Sequence, residues 1–103
     1  MRIVFVTCPP QVGYDLLKQL VEERLVAGGN IISGVRSIYH WNNEVCDKPE
    51  EILLMETAAS KVDIMIARIK TLHPYKVPKI VTFKPEESLP DYLKWVKVET
   101  RAE

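Results

Sequence analysis

Cysteine is scarce in this chain, with Cys8 and Cys46 the only two among 103 residues. That count excludes the disulfide framework of a small secreted domain. A single Cys8–Cys46 bridge and two free thiols both remain open, and free thiols suit a reducing cytosol better. Net charge is absent too: fourteen basic and fourteen acidic side chains sum to +0. No whole-chain field therefore draws the protein to nucleic acid or to an anionic membrane. Glycine is limited to four residues, and neither GxGxxG nor GxxxxGK occurs, so no glycine-rich loop cradles a phosphate. GxSxG, HExxH and CxxC are missing as well, which argues against an enzyme. The opening apolar run, Ile3-Val4-Phe5-Val6, is too short for a secretory signal or a membrane span. A cytoplasmic location is expected.

What is present reads as one domain over residues 1–103, because the chain has no room for a second core. Ile3 to Thr7 is a strand without alternation, which predicts burial on both faces. Val12, Leu16, Leu17, Leu20, Val21 and Leu25 form a helical stripe, with Gly28-Gly29 as its expected C-terminal cap. A long strand runs from Asn30 to about Trp41, with Gly34 marking a bulge. Asn42-Asn43 suits a tight hairpin, since asparagine tolerates positive φ. The returning strand is expected to be interrupted at Lys48-Pro49, so that this portion lies at an edge or carries a bulge, and to resume from Ile52 to about Thr57. Ser60 with Asp63 predicts a capping box for a second helix reaching Leu72. A fourth strand spans Lys79–Phe83, and Ser88 with Asp91 caps a third helix on Leu89, Tyr92, Leu93 and Val96.

The order β-α-β-β-α-β plus a C-terminal helix is the split βαβ pattern of an α+β, ferredoxin-like sandwich. Its second and third strands make a hairpin too long for so small a sheet, so the protruding half needs a covering chain.

The most distinctive segment is His73-Pro74-Tyr75-Lys76-Val77-Pro78. Pro74 stops the preceding helix and pushes His73 out of the α region. An imidazole and a phenol are thus held on a short, stiff connector. Leu72-His73-Pro74-Tyr75 with Val77-Pro78 resembles the most specific motif of the CutA family of divalent-cation tolerance proteins. Further matches run in order: Thr7 followed by Pro9, Val21–Ala27, Asn30, Ser37-Ile38-Tyr39-His40-Trp41, and Asp91-Tyr92-Leu93-Lys94-Trp95. The resemblance implies a compact homotrimer like that of PII-type signalling proteins, with extended hairpins pairing across subunits. It also implies a link to divalent-metal tolerance, copper above all.

Within that family, copper ligands have been proposed where this chain has Val6, Leu72 and His73, so His73 alone keeps a donor and is the metal candidate. Glu56-Thr57 stands where the family commonly has Lys-Thr, and Gly28-Gly29 where it has a small Ala-Cys pair. Cys8, His40 and Cys46 are further donors, but none has ligand spacing to another. His40 and Cys46 flank the hairpin turn, far from His73. Tyr39, Trp41, His73, Tyr75, Tyr92 and Trp95 are the candidates for lining an inter-subunit cleft, with Lys76 or Arg36 available to an anionic ligand. Core packing competes as the explanation for Tyr92 and Trp95, whose spacing suits a packed helix face.

The leading expectation is a cytosolic homotrimer binding metal or a small ligand at its clefts. A very stable trimeric scaffold or PII-like module without metal function is the alternative. An acylphosphatase-like hydrolase is a poor third, because the loop after the first strand, Cys8-Pro9-Pro10-Gln11-Val12-Gly13, holds no arginine.

Overall fold

The computed structural model describes residues 1–102. The elements are β1 (Arg2–Cys8), α1 (Val12–Glu22), β2 (Gly28–Trp41), β3 (Glu44–Thr57), a 3-10 turn (Ala59–Lys61), α2 (Val62–Leu72), β4 (Ile80–Phe83) and α3 (Pro90–Glu99). The strands form one antiparallel sheet in the order β2-β3-β1-β4. This is the ferredoxin-like arrangement that the element order predicts.

Helices α1 and α2 cover one face. Leu16 and Leu20 from α1, and Met65 and Ile69 from α2, close over Val4, Val6, Cys8, Leu53 and Met55 to make the core. The register Phe5↔Leu54 and Phe5↔Val81 puts a second apolar set on the opposite face. Burial there is incomplete: Ile3 and Phe5 are half-buried, while Val81 and Phe83 are exposed. The two-sided burial expected of β1 is therefore only half met within one chain, because α3 covers just one end of that face.

Gly34, at φ 74°, supplies the left-handed residue of a bulge, and the register shifts between Ile32 and Val35. Asn42 and Asn43, at φ 51° and 63°, close the hairpin as a two-residue turn with both central residues left-handed. Pro49 does not interrupt β3; it pairs with Arg36 inside a continuous strand. It is tolerated because β1 pairs with β3 only from Glu51 onward, so the other side of β3 at Pro49 is an edge. Beyond the bulge, β2 and β3 run on as a two-stranded ribbon that stretches the molecule to 44 × 26 × 21 Å.

Helix ends depart from the sequence expectations. Arg24, at φ 60°, takes the left-handed position after α1, with Leu25 N–H bonded to the Leu20 carbonyl and Arg24 N–H to that of Val21. Gly28 and Gly29 instead begin β2. Neither Ser60 nor Ser88 caps a helix: the 3-10 turn leads into α2, and Pro90 opens α3 after Leu89. Proline suits that first helical position, where its missing N–H would have no partner anyway.

Candidate functional site

The connector between α2 and β4 reaches back to the end of β1 and there meets β3. His73 leaves the helix in extended conformation, at φ −76° and ψ 138°, as a residue before proline must. Its ring is buried, 5% exposed, with Nε2 2.7 Å from the Thr7 carbonyl oxygen. The Tyr75 backbone N–H donates to Nδ1 at 3.1 Å. A carbonyl only accepts and an amide N–H only donates, so this network assigns the hydrogen to Nε2. Both ring nitrogens are thus engaged, and a metal ion at His73 would have to displace one of these bonds. Although His73 ends α2, its side-chain partner is β1 rather than the last turn of that helix.

Tyr75 packs its ring 4.9 Å from that of His73 and donates its hydroxyl to Glu50 Oε2 at 2.9 Å. Glu50 is only 4% exposed. Burial, reinforced by this carboxylate, pushes the Tyr75 phenol well above its ordinary value, so it stays a donor. The next residue, Glu51, points to the other face of β3. It accepts from the Gly13 N–H at 3.2 Å and from Ser33 Oγ at 3.5 Å, supplying the cap that Gln11 does not give α1. Two adjacent glutamates therefore fasten two different loops from opposite faces of one strand. Sequence reasoning missed both; the available signal was a pair of acids immediately before the apolar run Ile52–Met55.

Cys8 lies beside this junction, fully buried. Burial, then Glu51 and Glu50, push its thiol up to about 11. Native protein is expected to titrate at most one thiol per chain with a disulfide reagent at neutral pH, from half-buried Cys46, and two after denaturation. Rapid modification of Cys8 in the native state would show that the β1 end opens freely.

The other candidates fall into separate places. Tyr92 and Trp95 stack at 5.4 Å with their rings inclined by 30°, and Tyr92 donates to Glu56 at the far end of β3. They are 39% and 42% exposed, so the core role considered for them does not hold within one chain. Glu50 and Glu56 are six residues apart on one face of β3, or about 20 Å at ~3.3 Å per residue. Tyr39 and Trp41 sit on the ribbon, opposite Cys46 and Glu44. His40, opposite Val45, faces the other side of the ribbon from Cys46, so one hairpin cannot use both on one ion. Arg36 is taken up by a two-pronged pair with Asp47 at 2.8 and 2.6 Å, which leaves exposed Lys76 as the free cation beside Tyr75. Val6 is in the core, and Leu72 packs against it. Among the described residues no three His, Cys, Asp or Glu side chains converge as a metal cluster. One chain's donors do not fit a transition-metal centre.

The sandwich with its overlong hairpin defines a class of small α+β proteins shared with PII-like structures. Its solved neighbours include the PII-like protein CutA from Nostoc sp. PCC 7120 in apo form (TM-score 0.92, 37% identity, 97% of each chain). Another is the Cut A1 divalent cation tolerance protein of Thermus thermophilus (TM-score 0.89, 41% identity, 93% of this chain and 95% of that one). In sequence, the T. thermophilus divalent-cation tolerance protein CutA is 40% identical over 100 residues, covering 96% of this chain and 97% of the relative. A CutA homolog of Xenopus laevis is 37% identical over 97 residues, although the match spans only 64% of that longer protein. Residues 2–99 match the family described as CutA1 divalent ion tolerance protein. The chain belongs to that family.

Proposed function

We propose that the protein works as a cytosolic homotrimer that binds a small ligand at clefts between subunits, in the service of divalent-ion tolerance, and is not an enzyme. The observation that carries this reading is the ribbon of residues 35–41 and 44–50, which extends past the sheet with no third strand beside it. Exposed Ile38, Val45 and Trp41 on that ribbon, and Val81 and Phe83 on the sheet, are surfaces a neighbour would bury. The trimeric number comes from the family resemblance. No helix among the described residues is long and apolar enough to cross a membrane.

In such an assembly one subunit's ribbon lies near another's His73-Tyr75 connector, so Tyr39 and Trp41 would join Tyr75, with Tyr92 and Trp95 entering from a different copy. His73 serves there as a positioning residue: it fixes the connector and presents Tyr75. A copper role would belong to the assembled cleft, because His73 has no free lone pair. That engaged imidazole also favours the second reading, a stable trimeric scaffold whose metal response is indirect. Light scattering at micromolar concentration is expected to give about three times the 11.8 kDa chain mass. A monomer would refute the proposal, since a lone ribbon with open edges is not expected to persist in water.

A further inference from the structure

The end of β3 remote from His73 carries an acid at the hydroxyl edge of a stacked aromatic pair. Glu56 accepts the Tyr92 hydroxyl at Oε1 and has no cation partner: the four ion pairs of the described residues leave it out. Arg2 pairs with Thr57, one position along the ladder from the Ile3–Glu56 pair, and so projects from the other face of the sheet. Its guanidinium bonds the Met1 carbonyl at 3.1 Å. Tyr92 and Trp95 stack beside the carboxylate, yet the one cation poised over a ring among the described residues is Lys79, on Phe5. Trp95 is seated on backbone, with its edge 3.4 Å from where a Cβ of Gly28 would stand, and it remains 42% exposed.

These features select a ligand chemistry. An anion is repelled by Glu56, and a neutral ring would cover the carboxylate without satisfying its remaining lone pairs. A planar guanidinium does both tasks at once: its forked N–H groups bond the carboxylate, and its face lies on an indole or phenol. The Tyr92 hydroxyl occupies one oxygen and holds the carboxylate in place, leaving Oε2 open. Burial and Glu56 push the Tyr92 phenol up to about 12, so it keeps donating.

We propose that Glu56, Tyr92 and Trp95 form a guanidinium-binding corner, filled by a small guanidinium compound or by an arginine side chain of a second copy of this chain. The corner uses two rings that the preceding reading gives to a cleft, and so rests on it in part, but all three residues belong to one chain.

The test follows the Trp95 indole N–H resonance of 15N-labelled protein, assigned as the indole signal that persists in Trp41→Phe. Ethylguanidinium is titrated at concentrations far below denaturing, beside uncharged ethylurea. The expected result is a saturable shift with ethylguanidinium alone, weakened roughly tenfold or more in Glu56→Gln, which keeps the shape and loses the charge. If an arginine of a second copy already fills the corner, the free compound gives no shift. Glu56→Gln then raises the concentration at which light scattering sees the assembly dissociate, by roughly the same factor. Either outcome supports the proposal. Equal shifts in Glu56→Gln or with ethylurea overturn it, and so does no shift combined with an unchanged assembly. A saturable shift in a protein that scatters as a monomer would refute the trimer and leave the corner standing.

Discussion

Replacing His73 with alanine is expected to lower stability by about 2–4 kcal/mol, while copper and zinc binding measured by equilibrium dialysis stays unchanged. The loss has two parts. The Thr7 carbonyl and the Tyr75 amide lose their partner in a buried place, which costs about 1–3 kcal/mol. The vacated ring volume adds a cavity term. The consequence spreads along the connector, because Tyr75 N–H is anchored on Nδ1 and its hydroxyl on Glu50. Denaturant unfolding of the variant beside the parent chain measures the first quantity. Unchanged stability with lost copper binding would show that the working form frees the imidazole, and His73 would then be a ligand after all.

Two adjacent glycines are expected to behave oppositely. Gly29→Ala should cost about 1–3 kcal/mol, because its Cβ would stand 2.7 Å from Met55 Cγ, 2.8 Å from the Leu54 carbonyl oxygen and 3.0 Å from Leu17 Cδ1. One of those neighbours is backbone and cannot swing away. Gly28→Ala should fall within about 0.5 kcal/mol of the parent, since its Cβ meets only the Trp95 ring, at ordinary contact distance. Thermal unfolding of the two variants checks the contrast. Equal costs would mean that β3 and α1 do not crowd Gly29 as these distances require. The same pair explains why a helix cap was expected there: glycines after an apolar stripe look alike whether they free the backbone or clear space for packing.

The aromatic candidates were legible as residues but not as a site. His73 and Tyr75 come together, as do Tyr92 and Trp95, yet β3 sets the two pairs about 20 Å apart. Only a second copy can join them, and no spacing within one chain expresses that. Glu50 and Glu51 went unread because an acid in a strand becomes informative only once its partner is known. Those partners, Tyr75 and Gly13, are brought to it by the chain's path over the sheet.

By itself the sequence determined the elements and their order, because hydrophobic period and proline position act over a few residues. It also determined the Gly34 bulge and the Asn42-Asn43 turn, where φ is a property of the residue type and its neighbours. The tertiary structure decided the helix ends. Arg24 is held left-handed at the close of α1 and fixed through its side chain to the Glu99 carbonyl at 3.0 Å, and Glu51 caps α1 from β3. It likewise decided the state of His73, whose partner is a carbonyl 66 positions away. A hydrogen-bond partner is chosen by proximity in space, and the path of helices and loops over the sheet, not sequence distance, sets that proximity.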